Sequence, residues 1–449
     1  MRNSKLLLLA APVLAISALG ALTGCGKKYD VKLTVYNWED YIYEGTDDSG
    51  KIVADSTVKA FEKFYTEKTG KSIKVNYETF STNEEMYQQI KLEAISPDLI
   101  CPSDYMIQKM ANENMLEELS YNESTKKFGD SLSNWDQYGS PFIKNRFAAE
   151  KLNNGKSFLS YSIPYFWGTM GFTYDYDWFE EKGLLDEINS WECLWSTNSL
   201  LKKQFSLKDS VRDTYVVAIF HVYKDDIAAL NPADPDYNQK LSAIFNKCDD
   251  TTISKVEQAL TEAKNRTVYG LEVDDGKDAI VQGTYRANLA WSGDSVYSMK
   301  EADKAGKNLH YSLPEEGSNV WFDGWCMPKG ANKEVAEEFL NFICTPKVAA
   351  DCMKAVGYTS PIVGQEIWDM INEWYAADEG EESYKANLDF YFGDTIDGKA
   401  EIFVPVEEAG RQFDAQYPTE DVLKRCCMMK DFGAQQDKVD QMWQRIGIK

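Results

Sequence analysis

The order of strand and helix patterns in the first hundred residues is the feature that most limits how this chain can fold. Alternating or apolar runs predict β-strands at residues 32–37, 72–77 and 98–102. Helical patterns lie between them at 56–69 and 82–95, and a further helix begins at Ser103. Strands that alternate with helices in this way form a parallel sheet of the α/β type. Ligands of such sheets bind beyond the carboxyl ends of the strands.

The rest of the chain continues the pattern over a length that exceeds one small core. Further strands are predicted at 162–174, 205–207, 289–291 and 320–327, and further helices at Ser210 and over Glu334–Ile343. A chain of 449 residues therefore predicts two lobes. Four polar stretches, three of them acidic, are expected to be surface insertions: 44–56, 120–157, 222–252 and 369–400.

The N-terminus has the organisation of a secretion signal. Arg2 and Lys5 precede an apolar run, and Leu22-Thr23-Gly24-Cys25 ends it with small residues before a cysteine. The tetrapeptide resembles the bacterial lipobox, which predicts a lipoprotein signal peptide at 1–24, a lipid on Cys25 and a tether at 25–30. An ordinary signal peptide with an incidental cysteine is the alternative. Either reading places the protein on the extracellular face of the membrane or in the periplasmic space.

Charge and composition limit the classes of ligand and partner that the chain can bind. The chain carries 72 acidic and 48 basic residues, a formal net charge of −24 at pH 7. Such a surface repels nucleic acid and favours cationic ligands, although solubility alone also explains many of the charges. Only two histidines are present, His221 and His310, which disfavours a His-rich metal site or a Ser-His-Asp triad. We expect no enzymatic activity, no cofactor and no metal.

Eight cysteines remain besides Cys25. An even number outside the cell is compatible with disulfides. However, Cys101, Cys326 and Cys344 lie in apolar segments, and no CxxC spacing occurs. We therefore predict buried free thiols for most of them. The adjacent pair Cys426-Cys427 has no explanation at this level.

Aromatic and acidic residues recur together just past predicted strand ends. The five groups are Trp38, Asp40 and Tyr41; Ser103 and Tyr105; Asp213; Trp291 and Asp294; and Trp321 and Asp323. Aromatic faces cover hydrocarbon and attract cations, at ~0.5–2 kcal/mol per contact. Carboxylates bind ammonium groups through charge-assisted hydrogen bonds. Taken singly, each Trp is compatible with a core position and each Asp with a helix cap. Together they predict a ligand with methylene chains and ammonium ends.

Seven segments place the chain among known proteins. In order they are YNWEDYI at 36–42, PSDYMIQKM at 102–110, YSIPYFWGT at 161–169, DSVRDT at 209–214, WSGD at 291–294, EEGSNVWFD at 315–323 and VGYTSP at 356–361. From about Lys32 to the C-terminus the chain resembles the spermidine/putrescine-binding subunits of ABC importers.

That resemblance implies a fold and its boundaries. We expect a type II periplasmic-binding-protein fold, in which each lobe is a mixed, mostly parallel sheet flanked by helices and crossover strands join the lobes at a hinge. The N-terminal lobe would comprise 31–168 and 324–366, and the C-terminal lobe 169–323 and 367–449. The polyamine would be trapped between the lobes and passed to permease subunits driven by a cytoplasmic ATPase. We expect a monomer.

The resemblance also implies roles for residues before the middle of the chain. Trp38 corresponds to an aromatic wall, Asp40 to the acid after it, and Tyr41 to a neighbouring hydroxyl. Ser103 and Tyr105 match a hydrogen-bonding segment of the family.

The resemblance implies further roles from Asp213 onward. Asp213 stands where the family has a Glu that binds an ammonium. Trp291 and Trp321 would enclose the methylene chain, and Asp323 would bind an amine. Asp294 matches an acid of putrescine-specific members, and Tyr358 a tyrosine near the hinge.

Two departures leave the choice of polyamine open. Ser210 occupies a position where spermidine-preferring members can carry Asp, and the stretch 426–430 lacks an expected glutamine. Another solute bound by the same fold remains an alternative. So does an extracellular carbohydrate-active enzyme that uses two of the carboxylates.

Overall fold

The structure is a computed structural model that describes residues 28–47, 49–272 and 275–447. The predicted signal peptide at 1–24 and Cys25 lie outside these residues, so the lipid anchor stays a prediction. In the described ranges, no helix combines the length and the apolar content needed to cross a bilayer.

Strands and helices alternate along most of the described chain. The strands are β1 Val31–Trp38, β2 Ile73–Phe80, β3 Leu99–Ile100, β4 Leu116–Glu117, β5 Ser162–Asp175, β6 Phe205–Lys208, β7 Val268–Glu272, β8 Ala287–Trp291, β9 Leu309–Ser312, β10 Ser318–Pro328, β11 Ser383–Asn387, β12 Glu401–Pro405 and β13 Cys426–Cys427. The helices are α1 Thr57–Thr69, α2 Asn83–Lys91, α3 Asp104–Asn112, α4 Ser133–Tyr138, α5 Pro141–Ala149, α6 Tyr176–Lys182, α7 Leu185–Ile188, α8 Val211–Val222, α9 Lys224–Ala228, α10 Tyr237–Phe245, α11 Asp250–Arg266, α12 Gly276–Gln282, α13 Ser292–Lys304, α14 Lys333–Ile343, α15 Pro346–Val356, α16 Gln365–Tyr375, α17 Asp389–Phe392, α18 Gln412–Gln416, α19 Glu420–Lys424 and α20 Gln436–Ile446.

Local sequence chemistry sets several of these boundaries. The Ser56 side chain accepts a hydrogen bond at the start of α1, and Gly70 ends that helix at φ 71° in the left-handed conformation. The Thr82 hydroxyl accepts a hydrogen bond from the backbone N–H of Glu85 and so caps the start of α2. The predicted helix at 82–95 ends earlier than expected, at Lys91. The strand–helix order of the first hundred residues is confirmed.

One eleven-stranded mixed sheet runs through both lobes, in the order β2-β1-β3-β10-β5-β8-β6-β7. The remaining strands of that sheet pair at its middle, β4 and β13 with β10 and β9 with β5. Parallel pairs lie at the two ends, between β1 and its neighbours β2 and β3 and between β6 and its neighbours β7 and β8. The long central strands β5 and β10 pair antiparallel and join the two parallel ends.

Two large hydrophobic clusters correspond to two lobes. The first half of β5, including Ile163 and Trp167, is buried in the first cluster, and the second half, including Met170 and Phe172, in the second. Because one strand supplies side chains to both cores, β5 is a crossover between the lobes. This architecture confirms the predicted α/β fold of two lobes.

Part of the C-terminal region packs into a different lobe from the one expected. The segment from Ile367 to Val404, expected in the C-terminal lobe, packs into the first cluster. Three of the four predicted surface insertions also bury apolar side chains, for example Trp135, Leu241 and Tyr391. These three stretches therefore do not lie wholly on the surface, because their short helices place apolar residues against the cores. The other lobe boundaries stay predictions.

The cysteines agree with the thiol prediction. All eight in the described ranges are free, and seven of them are buried. Cys426 and Cys427 form β13, which pairs parallel with Ser318 and Asn319 of β10. Successive residues of a strand point to opposite sides. Accordingly, Cys426 is buried in the first cluster and Cys427 in the second. The previously unexplained pair thus forms a further crossing between the lobes, besides β5.

Candidate functional site

Three of the predicted ligand-binding residues share one face of the sheet. Their partners on β5 are alternate residues, and alternate residues of a strand face the same side. The pairs are Asp323 with Phe166, Trp321 with Gly168, and Trp291 with Met170. The two tryptophans flank β5 from β10 and β8. Side chains from distant parts of the sequence therefore converge where the lobes meet.

Asp323 is the centre of the first wall of this site. Tyr41 donates its hydroxyl to Oδ2 of Asp323 at 2.6 Å, and Ser103 donates to Oδ1 at 2.7 Å. The carboxylate is only 8% exposed, and this burial raises its pKa to about 6 against the opposing effect of both hydroxyls. The pairing register of β10 with β5 shifts directly after Asp323, between Asp323 and Gly324.

Asn83 supports this wall and was not predicted. It is buried at the first residue of α2, where its amide donates to the hydroxyls of Ser103 at 3.1 Å and Tyr105 at 3.0 Å. Its carbonyl accepts from the Ser103 backbone N–H at 3.1 Å. Tyr105 in turn donates its hydroxyl to Glu84 at 3.0 Å. The polar side chains of the first wall are thus held in place by neutral donors.

A buried ion pair forms the second wall. Lys208, the last residue of β6, donates its Nζ to Oδ2 of Asp294 at 3.0 Å. The same Nζ lies 3.8 Å from the centroid of the Trp291 ring. Lys208 is 1% exposed, and sequence reasoning missed it because a lysine at a strand end is ordinarily solvated. Its position depends on the parallel pairing of β6 with β8, which brings the two strand ends together.

Tyr358 joins the two walls. Its hydroxyl donates to Oδ1 of Asp294 at 2.9 Å, and its ring meets the Trp321 ring edge-on at 5.2 Å. The ring also lies 5.9 Å from that of Tyr41. A Cβ at residue 293 would overlap the Tyr358 ring, so Gly293 is what allows this close approach. Tyr358 thus contacts residues of both walls, and its predicted position near the hinge stays a prediction.

Asp213 lies in the first turn of α8, beside the second wall. It is 7% exposed and accepts from the Trp291 indole N–H at 3.4 Å. Burial raises its pKa, while the Ser210 hydroxyl and the Lys208 charge lower it. Its neighbour Arg212, also missed, is buried with its guanidinium 3.8 Å from the Phe432 ring centroid.

Two predicted residues stand apart from these contacts. Trp38 ends β1 and packs its ring 4.6 Å from that of Phe80. Its indole N–H is buried without a hydrogen-bond partner among the described residues. Asp40 is exposed on the following turn, at a left-handed φ of 51°. The structure brings Tyr41, Ser103, Asp213, Trp291, Asp294, Trp321, Asp323 and Tyr358 into contact with at least one other residue of the set.

A family match follows from the sequence. A profile described as bacterial extracellular solute-binding protein matches residues 57–376. The chain belongs to that family. It is a solute-binding protein of an ABC importer, and thus a transport component without catalytic activity, as expected.

Individual relatives agree with this assignment. The chain is 28% identical over 335 residues to a spermidine/putrescine-binding periplasmic protein of Salmonella typhimurium, covering 73% of this chain and 77% of the relative. It is 25% identical over 377 residues to the putrescine-binding periplasmic protein PotF of Escherichia coli, covering 80% and 86%. Among solved structures, it matches the spermidine/putrescine ABC transporter substrate-binding protein PotD of Streptococcus pneumoniae with a TM-score of 0.59 at 24% identity, covering 92% of this chain and 98% of that one. The structural match confirms the fold.

Proposed function

We propose that this solute-binding protein captures a protonated polyamine, putrescine or spermidine, between its lobes and delivers it to an ABC permease. Polyamines have methylene chains with ammonium groups, and the site pairs aromatic rings with buried carboxylates. The relatives named for spermidine and putrescine support the same ligand class.

The observation that carries the proposal is the environment of Asp323. It is a buried carboxylate held by two neutral hydroxyls, those of Tyr41 and Ser103. Burying a charge without a countercharge is unfavourable. An incoming ammonium group supplies that countercharge, and the adjacent Trp321 ring supplies an aromatic face. Anion-binding sites need arginines or helix N-termini at this place instead.

Closure of the lobes around the ligand is the second part of the proposal. The candidate residues come from both lobes, so the contacts are complete only when the lobes approach. A lipid on Cys25 would keep the protein near its permease, on the outer face of the membrane or in the periplasmic space.

The test is a titration of the full-length protein with putrescine and with spermidine, followed by tryptophan fluorescence. We expect saturation by at least one polyamine below the millimolar range. The paired variant Trp321→Ala, Asp323→Asn should abolish that response, because it removes both the aromatic face and the charge. Absence of saturation by either polyamine in the wild type contradicts the proposed ligand class. Unchanged affinity in the paired variant contradicts the proposed site.

A further inference from the structure

Lys208 places an ammonium group of the chain itself inside the candidate site. Its Nζ lies 3.8 Å from the centroid of the Trp291 ring and 3.0 Å from Oδ2 of Asp294. An aromatic face with a carboxylate at its edge is the arrangement that recognises a ligand ammonium. At this place the arrangement already contains a cation.

Both side chains of the pair are largely buried, so the Lys208 ammonium is a fixed part of the site. The Lys208 side chain is 2% exposed and the Asp294 side chain 14%. The Thr214 hydroxyl donates to the backbone carbonyl of Lys208 at 2.7 Å, which ties the strand end to α8. A surface lysine that merely folded into a cleft would have neither a buried side chain nor a backbone held by such a hydrogen bond.

We propose that Lys208 is a specificity-determining residue, which occupies one ammonium position of the site so that the protein prefers the diamine putrescine over the triamine spermidine. This inference rests on the proposed polyamine function.

The physical reason is the uneven distribution of countercharge between the two walls. Asp323 has hydroxyl partners and is available to a ligand ammonium. Asp294 is paired with Lys208, and the Lys208 charge also lowers the pKa of Asp213. A further ligand ammonium beside Lys208 would meet a like charge at close range in a poorly solvated site. The triamine therefore loses more from the presence of Lys208 than the diamine does.

The experiment compares dissociation constants for putrescine and spermidine, measured by calorimetry on the full-length protein and on three variants. Lys208→Met removes the ammonium and keeps the length of the side chain. Lys208→Arg keeps the charge. The double variant Lys208→Met, Asp294→Asn removes both charges of the pair together, so the net charge of the site does not change. The ratio of the two affinities is the readout, because a loss of general stability does not favour one polyamine over the other.

We expect the wild type to bind putrescine more tightly than spermidine. In Lys208→Met the ratio should move toward spermidine by about tenfold, since the freed carboxylate can accept another ammonium. Lys208→Arg should stay within about threefold of the wild-type ratio, because it keeps the charge. The double variant should move the ratio toward spermidine by less than Lys208→Met does, because it removes the like charge but supplies no free carboxylate.

The outcomes separate this inference from the proposed function. If the wild type binds neither polyamine, the proposed function is wrong. If the wild type binds both but prefers spermidine, the role of Lys208 is wrong, and this measurement needs no variant to fold. A ratio that moves by less than about threefold in Lys208→Met overturns the role of Lys208 as well.

Discussion

The two walls of the site hold the same chemical group in opposite electrostatic states. On the first wall, Asp323 accepts hydrogen bonds from the neutral hydroxyls of Tyr41 and Ser103. On the second wall, Asp294 accepts one from the Tyr358 hydroxyl and is also paired with the Lys208 ammonium. Both carboxylates are largely buried and close to a tryptophan. Of the two, Asp294 is already paired with a lysine, so we expect Asp323 to be the carboxylate that binds a cationic ligand.

The contrast shows that a count of acidic residues does not give the number of ligand cations. A buried carboxylate that lacks a countercharge is destabilised, as the raised pKa of Asp323 shows. That destabilisation is relieved when an ammonium arrives. A carboxylate that already has an internal ammonium is compensated, and removing either partner would leave an uncompensated buried charge. The first wall is thus suited to binding and the second to structure and selectivity.

The largest effect should come from removing charge at the first wall. Asp323→Asn removes the charge and keeps an acceptor oxygen for only one of the Tyr41 and Ser103 hydroxyls. Putrescine binding should therefore weaken by ~2–5 kcal/mol. The double variant Lys208→Met, Asp294→Asn removes charge from the second wall as a neutral pair and should change putrescine affinity by less than ~1 kcal/mol. Calorimetric titration of each protein measures both values. Equal losses of putrescine affinity in the two variants would mean that the two walls do not differ in ligand binding.

Stability should respond in opposite directions at the two walls. The raised pKa of Asp323 means that the folded state holds a proton more tightly than the unfolded chain, whose value is near 3.8. This contribution to stability is fully present below pH 3.8 and is lost as pH rises through about 6. At pH 7, Asp323→Asn should therefore raise the free energy of unfolding of the ligand-free protein, by up to about 3 kcal/mol.

Asp294→Asn is the matched control, because it removes the carboxylate of the buried pair. Its free energy of unfolding should fall by about 3 kcal/mol. Denaturant titrations at pH 7 without ligand measure both changes. A stability loss of similar size in both variants would mean that Asp323 is not destabilised when ionised.

The smallest effect is the pH dependence of binding, which should follow the first wall. Protonation of Asp323 below a pKa of about 6 competes with the ligand, so affinity should fall by about tenfold per pH unit below that value. Asp213, whose pKa is also raised, should add to the fall at lower pH. Titrations between pH 4.5 and 8 on the wild type and on Asp323→Asn test this, at roughly half-unit intervals. A profile that is equally steep in Asp323→Asn would assign the titration to another group.

Much of the fold was predictable because its signals are local. The strand and helix boundaries of the first hundred residues follow from hydrophobic period and capping residues such as Ser56, Thr82 and Gly70. The insertions were not predictable in the same way. A polar stretch such as 120–157 has its apolar residues scattered among charged ones, and only its folded helices show that Trp135 and Phe147 enter the core.

For the candidate site, residue types and their order along the chain already indicated a solute-binding protein with an aromatic and acidic site, because each motif is a short run of neighbouring residues. The tertiary structure alone decided which of the two carboxylates has a positively charged side chain as its partner. Asp294 and Lys208 are 86 residues apart, and Asp323 and Tyr41 are 282 apart. Charge pairing in a buried site depends on which strand ends become neighbours, and that is a property of the assembled sheet.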